Sequence, residues 1–323
     1  MSSKREQIEQ LSTVVADTGE LEAVRRYQPV DTTTNPSLLL AVAGQSGYEQ
    51  YLSRAREFAA ELGDAGDPAL LSDCFATLVG RTLTELVPGV VSTEVDARLS
   101  FDTRATIERA RRLAALYREL GVAPDRFLIK VAGTWEGIRA ADVLETEGLH
   151  CNVTLVFSTV QARAAAEAGA TLVSPFVGRI LDWYVNNRGV TVNTPADDPG
   201  VDSVDRIHRD LKGHGFDTVV MAASFRNKGQ IEALAGCDRL TISPALLEEL
   251  NEDDAPIERY LSRVEPAAAP VEPQVQEARF RWRLNQDPMA TDLLSDGIRR
   301  FTRDQQTLEE LMTGAPNHAQ FAG

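Results

Sequence analysis

The sequence predicts a (β/α)8 TIM barrel with additional C-terminal helices. Eight short apolar runs recur along the chain, each followed by a helical segment. The runs are mostly continuous rather than alternating, as expected for parallel strands buried on both faces. A doubly wound open sheet is the runner-up. That fold usually carries a GxGxxG or GxxxxGK loop after a strand, and neither pattern occurs here.

The eight strand expectations are TVVADT (13–18), RYQPVDTTT (26–34), GVVSTEVD (89–96), RFLIKVAG (126–133), HCNVTLVFS (150–158), ATLVSPFVG (170–178), DTVVMAASF (217–225) and RLTISPALL (239–247). Helices fall between them. Pro36 opens one, and Tyr48 to Leu62 with Pro68 to Val87 make a two-helix connection before the third strand. Thr103 to Leu120 has a helical apolar pattern and stops at Gly121, with Pro124 beyond. Ser158 caps Thr159 to Ala168, and Gly169 ends it.

The 323 residues fit one barrel domain spanning 1–323. Within it, 264–323 is expected to comprise a Pro/Ala-rich linker (264–273, VEPAAAPVEP), a helical stretch from Gln276 to Met312 interrupted near Pro288, and a frayed tail, TGAPNHAQFAG. No apolar run reaches the roughly 18–20 residues of a membrane span, and the start MSSKREQIEQ has no signal-peptide core. A cytoplasmic protein is the expectation. The net charge of −15 excludes nucleic acid and anionic membranes as partners. It also means that any phosphate site has to be built locally, from placed arginines and backbone N–H groups. Cys74, Cys151 and Cys237 are scattered and read as core fillers. No His or Cys pair has metal spacing, so no metal and no organic cofactor are expected. His208 and His214 lie in a helix-like stretch and are expected at the surface.

In such barrels the chemistry lies at the C-terminal ends of the strands. The polar residues there are Asp17, then Thr33, Thr34 and Asn35, then Glu94 and Asp96, Lys130, Asn152 and Thr154, Ser174 and Arg179, and Ser224, Arg226 and Asn227. Lys130 stands in an apolar strand, where desolvation disfavours the ammonium. A neutral amine can attack a carbonyl and form a Schiff base, an electron sink for an adjacent carbon–carbon bond. Such chemistry needs carboxylates to move protons, and Asp17 and Glu94 are the candidates. Arg179 and Arg226 suit phosphate. Plainer readings stand beside these. A strand-end carboxylate is as often a loop anchor, Thr34 or Asn35 before Pro36 is also a helix cap, Asp96 and Arg98 pair with neighbours, and Trp135 and Phe176 pack.

The stretches VVADTGELEAVRRYQPVDTTTNPSLLL, VVSTEVDARLSFDT, LIKVAGTWEGIRAA, CNVTLVFS, SPFVGRILDWY, VVMAASFRN, GCDRLTISPALL and NQDPMATDLLSDGIRRF occur in this order. They resemble the blocks of the transaldolases, specifically the long bacterial type, across nearly the whole chain. The resemblance implies that Lys130 is the Schiff-base lysine and Asp17 the residue handling the hydroxyl proton in carbon–carbon cleavage. It makes Glu94 the carboxylate that moves protons through a water, and Thr154 the residue positioning that water. It assigns Asn35, Asn152 and Ser174 to the hydroxyls of a dihydroxyacetone unit, Arg179, Ser224 and Arg226 to phosphate, and Phe176 to an aromatic position near the nucleophile. Thr33 lies in the same signature and counts as a substrate-binding candidate. The implied reaction transfers dihydroxyacetone from sedoheptulose 7-phosphate to glyceraldehyde 3-phosphate, giving erythrose 4-phosphate and fructose 6-phosphate, in the non-oxidative pentose phosphate pathway. Phosphorylated sugars are the implied partners and a homodimer the implied assembly. Two departures are visible: Gly133 stands where a serine is expected, and the tail past Met312 is this chain's own. Three other readings stay open. One is an aldolase of the same superfamily, whose members tend to be shorter and to carry tyrosine where Phe176 stands. The others are a barrel retained as a binding scaffold and a metal-dependent aldolase.

Overall fold

A computed structural model of the chain describes residues 2–257, 261, 264 and 274–314. Eight parallel strands close into a barrel in sequence order. They are β1 (Thr13–Asp17), β2 (Asp31–Thr33), β3 (Val91–Glu94), β4 (Phe127–Ala132), β5 (Cys151–Val156), β6 (Leu172–Pro175), β7 (Val219–Ala222) and β8 (Arg239–Ile242). The barrel architecture is as the sequence predicted, and two strand expectations overreach. Residues 26–30 belong to the end of a helix, Leu21–Tyr27, and to the turn that follows it at Gln28. Residues 244–247 open the helix Pro244–Asn251, because Pro244 can start a helix but cannot continue a strand ladder. The short first helix, Lys4–Glu9, was not anticipated; its capping box, Ser3 with Glu6, was in the sequence.

Helical expectations hold to within a residue or two. Thr103–Glu119, Thr159–Glu167, Glu49–Glu61 and Pro68–Leu86 are all helices. Ser158 and Gln161 form a capping box. The three cysteines are buried. His208 is a correction: it is buried, not superficial. The helix Pro199–Gly213 is amphipathic, and His208 shares the face of Val204 and Leu211. His214 does lie at the surface. The linker expectation, apart from Val264, and the tail beyond Gly314 fall outside the described residues. Thr313, expected in the tail, ends the last helix, and Gly314 caps it in the left-handed conformation.

Contacts between non-adjacent strands reveal how the barrel interior is filled. At its N-terminal end Arg239 on β8 pairs with Asp31 on β2 at 2.6 Å. Above it Val15, Leu128, Leu172 and Met221, from β1, β4, β6 and β7, form an apolar plug. One step further along the same strands, two residues on in each case, stand Asp17, Lys130 and Ser174. The side-chain period of two therefore carries the interior from apolar plug to polar mouth.

The last helix, Pro288–Thr313, crosses this mouth. Ala290, Leu294, Ile298 and Phe301 make its apolar underside and pack with Leu155, Phe157, Phe176 and Ile180. Polar contacts fix both ends. Asp292 accepts from Trp183 Nε1 at 2.9 Å, Gln305 donates to Ser72 Oγ at 2.7 Å, and Glu309 pairs with Arg98. Arg98 is held in turn by Asp96, so both residues pair with neighbours as expected, and that pairing anchors the helix.

β3 is braced from outside. Tyr117 is fully buried, stacks on Phe127 with ring centroids 4.5 Å apart, and shares a short hydrogen bond with Thr93. Its ring fits because residue 80 is glycine; a Cβ there would lie 1.9 Å from Tyr117 Oη and 2.9 Å from its Cζ. The brace turns Thr93 outward and leaves Ser92 and Glu94 facing the mouth. Gly80→Ala is expected to destabilise the protein by about 2 kcal/mol through overpacking. Tyr117→Phe removes the nearest clashing atom, so the double variant should lose less stability than the sum of the singles, as read from denaturant unfolding.

Candidate active site

Lys130 is 4% exposed in the middle of β4's C-terminal half. Its Nζ donates to the Thr34 carbonyl at 3.2 Å and lies 3.5 Å from Glu94 Oε2. The neighbouring strand positions β3 and β4 are paired Glu94 to Lys130, so the contact follows from register. Burial pushes the Glu94 carboxyl up to about 7, against the pull of Lys130 and Arg179. That rise is worth roughly 3 kcal/mol, so desolvation outweighs the attraction of the neighbouring amine. Glu94 Oε2 and Thr154 Oγ1 are both buried and make no protein hydrogen bond among the described residues.

Asp17 closes β1 and accepts from Thr33 Oγ1 at 2.9 Å. Burial raises its carboxyl, while Lys130, Thr33 and Arg179 pull it down. Thr33 therefore touches Asp17 directly. Thr34 does not cap: its hydroxyl donates to the Ser92 carbonyl. Asn35 does cap, accepting from Leu38 N at 2.9 Å, and it also lines the cavity around Lys130. Asn152 links two strands beyond its own: Ser174 Oγ donates to its Oδ1 at 2.6 Å, and its Nδ2 donates to Ser92 Oγ at 3.1 Å. β5 carries a register shift between Val153 and Val156, with Leu155 at φ 55°. This bulge lies beside Thr154 and turns Leu155 towards the terminal helix, where Gly297 permits the approach: a Cβ there would lie 2.7 Å from Leu155 Cδ2.

Arg179 occupies the wall between the inner cavity and an outer cleft. Its guanidinium sits 5.0 Å from the Phe176 ring centroid and 5.5 Å from that of Phe301. Its Nη1 is buried with no hydrogen-bond partner among the described residues. Arg226 is at the cleft's rim, bonded twice to Asp182 Oδ2 at 2.9 and 2.7 Å and, at 3.3 Å, to Ser224 Oγ. Ser224 takes φ 60°, unusual for a residue with a side chain, and Gly178 makes room for its carbonyl. Arg299 and Arg300 line the same cleft. The cleft also holds Asp182, Asp292 and Asp296, and Asp182 and Asp296 pair with Arg226 and Arg300, so its arginines are largely balanced and Arg179 is the one buried between rings.

Of the strand-end residues, Asp17, Thr33, Asn35, Lys130, Ser174, Arg179 and Ser224 line one cavity, and Glu94, Asn152 and Arg226 contact its lining, whereas Asp96 pairs with Arg98 and Asn227 caps the helix Lys228–Ala233. Four participants were not foreseen. Thr241 of β8 sits 3.1 Å from Thr33 Oγ1, Ser92 holds Asn152, Asp182 holds Arg226, and Phe301 covers the cavity. Thr241 and Ser92 had a signal, the period-two inward positions of β8 and β3. Phe301 had none, since the path of the last helix is a tertiary fact.

Comparison with known proteins agrees with this geometry. Residues 14–312 match the family model described as Transaldolase/Fructose-6-phosphate aldolase. A protein named Transaldolase from Pseudoalteromonas atlantica is 54% identical over 97% of this chain and 99% of its own length. Another Transaldolase, from Marinobacter nauticus, is 55% identical over 96% and 97% respectively. Transaldolase A of Pasteurella multocida is 51% identical over 97% and 99%. A closed eight-stranded barrel with a lysine and two carboxylates at its mouth, and a family match over nearly all of its length, place the chain in the transaldolase/fructose-6-phosphate aldolase family.

Proposed function

We propose that the protein is a Schiff-base transaldolase, a transferase that moves a three-carbon dihydroxyacetone unit from sedoheptulose 7-phosphate to glyceraldehyde 3-phosphate. The observation that carries the reading is the Lys130 amine, buried in the barrel mouth, 3.5 Å from Glu94 and lining one cavity with Asp17. Lys130 Nζ attacks the ketose carbonyl, and loss of water gives an iminium. Glu94, poised near neutrality, supplies and recovers the protons of that dehydration through a water held by Thr154. Asp17 takes the proton of the hydroxyl beside the scissile bond. The O–H pair becomes the aldehyde carbonyl, and the C–C pair moves onto the iminium as an enamine. The enamine then adds to the acceptor aldehyde, Asp17 returns its proton, and water releases the product.

Asn35, Asn152 and Ser174 hold the hydroxyls of the retained unit. Arg179, Ser224 and Arg226 hold phosphate. Phe176, packed on the Arg179 guanidinium and edge-on to Phe157 at 5.4 Å, gives the cavity an apolar wall. With no hydroxyl on that ring, release of the enamine by water is disfavoured and transfer to an aldehyde is favoured. A single barrel domain, a homodimer and a cytoplasmic location complete the proposal on the strength of the family resemblance; among the described residues no helix is long and apolar enough to cross a membrane.

Product analysis tests the reading. Fructose 6-phosphate alone should yield at most one equivalent of cleaved aldehyde per site, and adding erythrose 4-phosphate should restore turnover; steady release of free dihydroxyacetone without acceptor would make the protein an aldolase instead. Lys130→Arg should lose turnover by several orders of magnitude with an unchanged circular dichroism spectrum, because a guanidinium stays protonated; a near-normal rate would remove Lys130 from its role. Arg226→Ala should raise KM for phosphorylated sugars by at least tenfold while changing that for unphosphorylated dihydroxyacetone donors little. Equal losses on both would make Arg226 a structural residue.

A further inference from the structure

We propose that Thr241, on β8, is a positioning residue for carbon–carbon cleavage, acting through Thr33 to fix which oxygen of Asp17 receives the substrate proton. The inference rests on the Schiff-base reading above and extends it to a residue outside that reading.

Hydrogen-bond direction orders the three groups. Thr33 and Thr241 are 2% and 3% exposed, so neither hydroxyl has ready access to bulk water. Thr33 Oγ1 lies 2.9 Å from Asp17 Oδ1 and 3.1 Å from Thr241 Oγ1. A hydroxyl has one proton to donate and lone pairs to accept. A carboxylate can only accept, so Thr33 gives its proton to Asp17. The Thr33–Thr241 contact is then made only with Thr241 as donor. The chain Thr241 to Thr33 to Asp17 Oδ1 runs in one direction, and each bond polarises the next. Oδ1 is thereby engaged, and Oδ2 is the oxygen left to take the proton of the reacting hydroxyl.

The positions follow from the barrel. β2 and β8 flank β1 on either side, and Asp17 is paired with Thr33 across β1 and β2. Both threonines face inward from strands that do not touch each other, and both line the cavity with Lys130. The charged groups facing Asp17 are Lys130 from β4, Glu94 from β3 and Arg179 after β6. Burial raises the Asp17 carboxyl and the Thr33 bond opposes this. Cleavage requires the carboxylate, so the rate rises with pH as Asp17 ionises. Removing the Thr33 hydroxyl should move that limb to higher pH by about one unit or more. Removing the Thr241 hydroxyl should move it in the same direction by less.

The test is the pH profile of single-turnover cleavage of fructose 6-phosphate, read as released glyceraldehyde 3-phosphate, for wild type, Thr241→Val, Thr241→Ser, Thr33→Val and the double valine variant. Borohydride trapping of the covalent adduct at Lys130 is measured alongside. Thr241→Val should shift the cleavage limb upward and leave trapping intact, Thr241→Ser should restore the wild-type limb, and the double variant should match Thr33→Val. If Thr241→Val folds poorly, Thr241→Ala carries the same expectation. An unshifted limb with intact trapping would overturn the proposal alone, as would a Thr241→Val shift that persists in full on top of Thr33→Val. Failure of wild type to trap any adduct would overturn the Schiff-base reading instead.

Discussion

A lysine amine sits inside a protein here because a closed barrel puts a carboxylate within reach of it. Among the described residues Lys130 Nζ meets the Thr34 carbonyl and the Glu94 carboxyl, and Asp17 faces it across the cavity. An unpaired ammonium in that position would carry a desolvation cost of several kcal/mol. The remainder of the site is arranged around this pair. β3 has to hold Glu94 inward, which the Tyr117 brace on Thr93 does from the other side of the strand. Water has to be limited, which the apolar plug below and Phe176 and Phe301 above accomplish. That exclusion of water makes Glu94 hold its proton to about neutrality.

The terminal helix converts a common barrel mouth into a closed site. It lays Phe301 and Gly297 against the Arg179 guanidinium and the Leu155 bulge, so Arg179 is held by the rings of Phe176 and Phe301. Such preorganisation lowers the ordering cost of binding. Arg226 is prepared differently. Asp182 holds it at the rim of the outer cleft. The two arginines thus stand in different environments, one buried between rings and one solvated and paired.

The barrel was legible because eight apolar runs with intervening helical patterns leave few alternatives, and the strand-end residues were legible because barrel geometry places those ends together. Lys130 stood out as a charge in an apolar strand, and Asp17 and Glu94 as carboxylates at matching ends. Boundaries were less legible. Tyr27 and Val30 are strand-favouring residues just ahead of β2, yet the preceding helix claims Arg26 and Tyr27, and Pro244 cuts β8 short. His208 was misplaced because its polarity was weighed above its helical spacing. Thr241 and Ser92 were passed over because their one signal, an inward position at period two, does not say what a hydroxyl there bonds; the cross-barrel distance to Thr33 or Asn152 does.

The central claim is that desolvation, opposed but not overcome by Lys130, keeps Glu94 protonated up to about neutral pH. Its most direct test is titration of the Glu94 carboxyl by 13C NMR in protein labelled at glutamate carboxyls, with Glu94→Gln to assign the signal and Lys130→Met to remove the opposing charge. The account predicts a wild-type midpoint near 7 and a further rise in Lys130→Met, since the amine is what pulls the value down. A wild-type midpoint in the ordinary carboxylate range, or a fall when Lys130 is removed, would contradict it.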